Sequence, residues 1–145
     1  MNKPLLVLDT NVVLDLLHFD DATARPLRLA LEDGRVRCVV TASTLDELRR
    51  VLTYPEFALE PARQAEMVAR YQSLSGALAE ADASTVLPRC SDPDDQKFIE
   101  LAAASEAQAL VSKDRAVLRL RRRCAPLFQV MTPAEAVRWL DSALA

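Results

Sequence analysis

Leu5-Leu6-Val7-Leu8-Asp9-Thr10-Asn11 is the stretch on which the fold turns. Four apolar residues in succession lack the alternation of a strand with one wet face, so the run reads as a central parallel strand buried on both sides. An acid ends that run, and a charge placed there needs a reason. Downstream, Val36 to Val40 (preceded by Gly34), Ala109-Leu110-Val111 and Phe128-Gln129-Val130 read the same way, with Thr85-Val86-Leu87 as a weaker fifth run. Helical patterns separate them. The resulting βαβα alternation implies an α/β fold, a parallel sheet wrapped by helices.

The helices carry their own punctuation. Ala22 to Asp33 ends at Gly34, which suits a left-handed C-terminal position. Thr44 with Glu47, or Ser43 with Asp46, offers a capping box for a helix through Leu52, which Tyr54-Pro55 stops. Pro61 to about Leu74 follows, with Ala65, Val68, Ala69 and Leu74 on its apolar side. Asp92-Pro93-Asp94-Asp95 opens another helix, whose buried stripe is Phe98, Ile99, Leu101 and Ala102. The last begins at Thr132-Pro133-Ala134-Glu135, a capping box with Pro at the first helical position.

Composition bounds what this framework can do. With 145 residues, 50% hydrophobic and 27% charged, the chain is expected to form one domain over residues 1–145 around one core. No apolar run approaches the ~20 residues of a membrane span. The first residues lack a signal-peptide core, so a cytoplasmic location is expected. The 3 Cys (Cys38, Cys90, Cys124) are widely spaced and odd in number, which fits buried thiols better than a disulfide framework or a zinc site. His18 is the only histidine and lies among leucines, which disfavours nucleophile–histidine catalysis and histidine-ligated zinc. Chemistry then falls to the carboxylates. The net charge of −3 gives no general basic surface, so nucleic-acid contact would be local or mediated by metal.

Four acids fall where such a fold gathers them. Asp9 and Asp114 follow strands directly, at the edge where open α/β sheets form their binding crevice. Glu47 lies early in the helix after the second strand, and Asp95 lies in the first turn of the helix leading to the strand before Asp114. Clustered carboxylates with no nearby His or Cys are best stabilised by a hard divalent cation, Mg²⁺ or Mn²⁺. Metal-assisted hydrolysis of a phosphodiester is the natural reaction of such a site. Each acid alone also has a structural reading. Asp9 can cap a helix, Glu47 can belong to a capping box, Asp92, Asp94 and Asp95 suit a helix dipole, and Asp114 suits a turn. Their joint placement favours the functional reading.

Leu8-Asp9-Thr10-Asn11-Val12-Val13, Ser43 to Glu47, Asp92-Pro93-Asp94-Asp95-Gln96-Lys97-Phe98 and Leu110-Val111-Ser112-Lys113-Asp114 together resemble the PIN-domain ribonucleases, in particular the single-domain toxins of bacterial toxin–antitoxin pairs. The resemblance covers about residues 4 to 135. It implies a Rossmann-like three-layer α/β/α sandwich with a five-stranded parallel sheet, and Mg²⁺- or Mn²⁺-dependent endonucleolytic cleavage of RNA. Asp9, Glu47, Asp95 and Asp114 match the catalytic and metal-binding acids, with Thr10, Asn11, Ser43 and Ser112 as polar neighbours that steady them. Two departures stand out. Gln96 replaces a further acid, which leaves Asp92 or Asp94 to share the role of Asp95, and Ser112-Lys113 replaces a more usual Thr-Gly or Thr-Arg pair. Helical spacing favours Asp95, which shares a face with Phe98, Ile99 and Ala102.

Lys113, Arg115, Arg119, Arg121, Arg122 and Arg123 form the one basic stretch, with Asp114 its only acid. It reads either as a solvated charge run or as a backbone-phosphate track for RNA leading into the crevice. The resemblance further implies a homodimer or higher homo-oligomer and an antitoxin protein partner. Two other readings stay open: a PIN-fold binding module without activity, and an aspartate-nucleophile phosphatase of the haloacid dehalogenase type. The latter wants a second Asp where this chain has Asn11.

Overall fold

The computed structural model describes residues 3–80 and 86–143. Its strands are β1 (Leu5–Leu8), β2 (Arg37–Val40), β3 (Ser75–Ala77), β4 (Ala109–Val111) and β5 (Gln129–Met131). They form one parallel sheet in the order β3-β2-β1-β4-β5. The apolar run Leu5 to Leu8 is thus the central strand, with Leu6 opposite both Cys38 and Ala109.

Side chains alternate across a strand, so β1 feeds two cores. Leu6 and Leu8 face one core, together with α1 (Thr10–Leu17), α2 (Arg25–Glu32), α3 (Ala42–Leu52), α4 (Pro61–Leu74) and α8 (Pro133–Ala143). Val7 faces the other, with Phe98, Ile99, Leu101 and Ala102 of α5 (Gln96–Ala104), Val117 of α6 (Arg115–Leu118) and Cys124 of α7 (Arg121–Cys124). The result is the three-layer α/β/α sandwich. Ile99 and Leu110 are fully buried, a side chain of that size contributing about 1.5–3 kcal/mol on leaving water.

Chain order reverses between β1 and β4. From β1 the chain moves outward to β2 and β3, then returns to lay β4 on the other side of β1. The carboxyl ends of β1 and β4 therefore flank the switch point at which α/β sheets open a crevice. Asp9 stands at one of these ends and Asp114 just beyond the other.

Several sequence expectations change in detail. The fifth strand is Ser75-Gly76-Ala77, which continues from the end of α4, and not the run at 85–87. Thr85 lies outside the described residues, Val86 is 99% exposed, and Leu87 leans on the second core without pairing in the sheet. An edge strand needs backbone pairing more than apolar side chains, so Ser-Gly-Ala gave no periodic signal. Helix α2 starts at Arg25, later than the expected Ala22, and Gly34 adopts the left-handed conformation foreseen for it (φ 72°). Helix α3 starts earlier than either proposed capping box. Thr41 is its N-cap, with Thr41 N–H donating to Thr44 Oγ1 at 2.9 Å and Thr44 N–H donating to Thr41 Oγ1 at 3.3 Å. A hydroxyl at both ends of the box takes the place expected for Glu47 or Asp46.

The box at Thr132 and Glu135 forms as expected, with reciprocal bonds of 2.9 and 3.2 Å. His18 ends α1 and packs edge-on against Phe19 and Phe57, with ring centroids 4.6 and 5.5 Å away. The three cysteines are free thiols, Cys38 and Cys124 buried. Among the described residues no helix is long and apolar enough to cross a membrane.

Candidate active site

Asp9 is 3% exposed and serves two purposes. As N-cap of α1, its Oδ1 accepts from Asn11 N–H at 3.3 Å, while its Oδ2 accepts from the Ser112 hydroxyl at 2.7 Å. Each oxygen of this carboxyl thus has one partner, one at the start of α1 and one beyond the end of β4. Burial pushes the Asp9 carboxyl above its ordinary range. The Ser112 hydroxyl and Asn11 N–H oppose that shift, and the charges of Glu47 and Asp114 add to it.

Ser112 is wholly buried and ties the two strand ends together. Its hydroxyl donates to Asp9 and accepts Asp114 N–H at 3.0 Å, while its own N–H is paired with Met131 O of β5 at 2.9 Å. Asp114 in turn caps the short α6 through Ala116 N–H at 2.8 Å.

The third segment arrives from the opposite layer. A single 3₁₀ turn, Pro93–Asp95, precedes α5, and Asp92 caps it by accepting Asp94 N–H at 3.0 Å. One carboxylate oxygen from each of Asp92, Asp95 and Asp114 lies within 4.8 Å of the other two. Asp95 is 7% exposed, and its Oδ2 is buried with no hydrogen-bond partner among the described residues. Its carboxyl is pushed up to about 8, first by burial, then by the adjoining Asp114 carboxyl and the charges of Asp9 and Asp92. A buried carboxylate oxygen without a donor, facing two more carboxylates, is costly unless a cation balances it. An all-oxygen donor set suits a hard divalent ion, so Asp92, Asp95 and Asp114, with Asp9 beside them, offer a fitting place for one.

Of Asp92 and Asp94, only Asp92 brings its carboxylate close to those of Asp95 and Asp114. Both are exposed, and Asp94 joins the cluster only through its backbone N–H, which donates to Asp92. Gln96, where a further acid was the family expectation, is buried and does what an acid could not. Its Nε2 donates to Pro88 O at 3.1 Å while its Oε1 accepts Cys90 N–H at 2.7 Å, fastening the segment that leads to Asp92.

Glu47 is also buried, and its charge reaches Asp9, but both its oxygens are engaged. Oε2 accepts from the Thr10 hydroxyl, and Oε1 accepts from Lys97 Nζ at 2.8 Å. Thr10 and Ser112 therefore bond to acids of the crevice through their side chains, whereas Asn11 contributes its backbone N–H and its side chain is exposed. Ser43 does not join them. Its hydroxyl and N–H meet the Glu80 carboxylate at 3.0 and 2.8 Å, so it steadies the start of α3.

The basic stretch is divided in use. Lys113 pairs with the buried Asp15 of α1 at 2.8 Å, and Arg121 pairs with Glu135 at 2.7 Å. Arg115, Arg119, Arg122 and Arg123 are exposed and form no ion pair among the described residues. Lys97, Asp15 and Glu80 escaped the sequence reading because each acts across the fold. The one available signal was the position of Lys97, a cation two residues beyond Asp95 in an otherwise acidic segment.

Comparison with known proteins agrees with this fold. A crystal structure of VapBC2 from Rickettsia felis bound to a DNA fragment from their promoter superposes on the fold with a TM-score of 0.59 at 12% identity, covering 88% of this chain and 98% of that one. No curated protein matches the chain. The family model for the PIN domain matches residues 5–116, a span that runs from β1 into α6 and contains all the clustered acids. The chain belongs to the PIN domain family.

Proposed function

We propose that this protein is a divalent-metal-dependent endoribonuclease that hydrolyses RNA phosphodiester bonds, and that it is the toxin of a toxin–antitoxin pair. The observation that carries the reading is the buried, unpartnered Asp95 oxygen beside the carboxylates of Asp92 and Asp114. Asp9, Glu47, Asp95 and Asp114 are the catalytic acids of the family motif, joined here by Asp92. When bound, Mg²⁺ or Mn²⁺ lowers the pKa of water and polarises the phosphate. Ser112 holds Asp9 and Asp114 in register, Thr10 and Lys97 hold Glu47, and Gln96 holds the approach to Asp92. Arg115, Arg119, Arg122 and Arg123 supply charge for the RNA backbone next to Asp114. The VapBC2 likeness adds to the case for an antitoxin partner, and we extend to this chain the homo-oligomeric, cytoplasmic state of such toxins.

Cleavage of labelled RNA by the purified protein tests the chemistry. With Mg²⁺ or Mn²⁺ the wild type is expected to cut, and Asp9→Asn and Asp114→Asn to cut at least ~100-fold more slowly. Cleavage that survives EDTA, or persists in both variants, overturns the metal reading. Induced expression tests the biological role: growth arrest relieved by the same substitutions supports a toxin, while unimpaired growth removes that role and leaves the nuclease.

A further inference from the structure

Glu47 differs from the other acids of the crevice in already having a cation. Lys97 Nζ lies 2.8 Å from its Oε1, and an Arg50 guanidinium nitrogen lies 3.8 Å from the same oxygen. Its Oε2 is taken by the Thr10 hydroxyl. Asp9, Asp92, Asp95 and Asp114, by contrast, form no ion pair with Lys or Arg among the described residues, although three of them crowd their oxygens within 4.8 Å. The crevice therefore has two unlike sides. One gathers carboxylates that await positive charge, and the other holds a carboxylate to which the chain supplies it.

Lys97 is well placed to be a fixed part of this arrangement. It sits in the first turn of α5, two residues beyond Asp95, so whatever positions Asp95 positions Lys97 as well. Its side chain is 24% exposed and that of Glu47 is 9% exposed. A pair this sheltered is screened less than a surface ion pair, and loss of the lysine leaves the Glu47 charge with only the exposed, more distant Arg50 to balance it. In two-metal hydrolysis of phosphodiesters, a second cation stabilises charge on the oxygens of the displacement. An ammonium can supply charge at that place without an exchangeable ion.

We infer, resting on the nuclease reading above, that Lys97 is the resident cation at Glu47, so that the chain takes one divalent ion, on the side of Asp9, Asp92, Asp95 and Asp114. Lys97 is then a positioning residue that keeps Glu47 from recruiting a second ion.

Mn²⁺ binding to the full chain without RNA, measured by equilibrium dialysis and electron paramagnetic resonance, tests this on wild type, Lys97→Met and Lys97→Arg, with circular dichroism as the check of folding. One ion per chain is expected for wild type and Lys97→Arg, and two for Lys97→Met. Cleavage by Lys97→Met should fall ~10-fold or more and recover as Mn²⁺ is raised. Two ions on wild type, or one on Lys97→Met at saturation, overturns the inference and leaves a metal nuclease standing. No ion on wild type overturns the nuclease reading and this inference with it. If Lys97→Met does not fold, Lys97→Gln takes its place, and the wild-type stoichiometry still decides against the inference if it is two.

Discussion

Asp95 shows what a buried, crowded carboxyl costs the fold that holds it. Its Oδ2 is buried without a donor, and its neighbours are acids. Asp95→Asn replaces, at nearly constant volume, a carboxyl that the metal-free fold must keep protonated, and brings an N–H₂ that can donate to Asp92 or Asp114. In EDTA the variant is expected to melt roughly 3 °C higher than wild type, a gain of ~1 kcal/mol for a chain of this size. RNA cleavage is expected to be lost. Thermal unfolding by circular dichroism alongside the cleavage assay checks both halves, and a lower melting temperature would mean that the charged carboxyl is compensated in the folded protein. At this scale the sequence was informative about Asp95, since helical spacing set it on the face of Phe98 and Ile99. It was silent about Lys97 on Glu47 and Lys113 on Asp15, because nothing in the spacing of residues fifty or a hundred apart records which side chains meet.

At the scale of elements, the basic stretch folds into two short helices, α6 and α7, and its cations part company. Arg121 is drawn to Glu135 at the start of α8, while Arg119, Arg122 and Arg123 stay free of ion pairs among the described residues. The triple substitution of Arg119, Arg122 and Arg123 by Ala is therefore expected to weaken RNA binding. The slope of log affinity against log salt should shrink by ~2, about 0.7 for each single-strand phosphate that no longer meets an arginine. Filter binding in EDTA over a series of salt concentrations measures this. Arg121→Ala, whose partner is Glu135, should leave that slope unchanged, and an equal loss from both variants would count against the division. Strands with apolar cores and helices with strong caps were legible as elements. The edge strand β3 was not, because three small residues hold their place by backbone bonds to β2, and the α3 cap was displaced because threonines fill both positions of its box.

Across the whole molecule, the crowded acids make stability depend on pH in a sense opposite to the usual carboxylate. The Asp95 carboxyl is raised to about 8, and that of Asp9 is raised as well, so the folded protein keeps protons that the unfolded chain releases near 4. The unfolded state binds fewer protons over that interval, and stability without metal is expected to fall as pH rises from about 4 to about 8. A bound divalent ion should flatten or reverse the trend by stabilising the charged form. Urea unfolding across that range, in EDTA and in Mn²⁺, gives the two slopes, and parallel slopes would show that these carboxyls do not bind the ion. The α/β architecture and the crevice at the strand ends could be read from the order of the apolar runs. The reversal that sets β4 beside β1 could not, since it depends on how helices pack on both faces at once. The anchoring of Ser112 carries a temporal consequence. During synthesis every carboxylate of the crevice has been made by residue 114, yet the backbone of Ser112, whose hydroxyl bridges Asp9 to Asp114, gains its partner only when Met131 arrives. A nascent chain that stops short of β5 has the acids but not the anchor that aligns them.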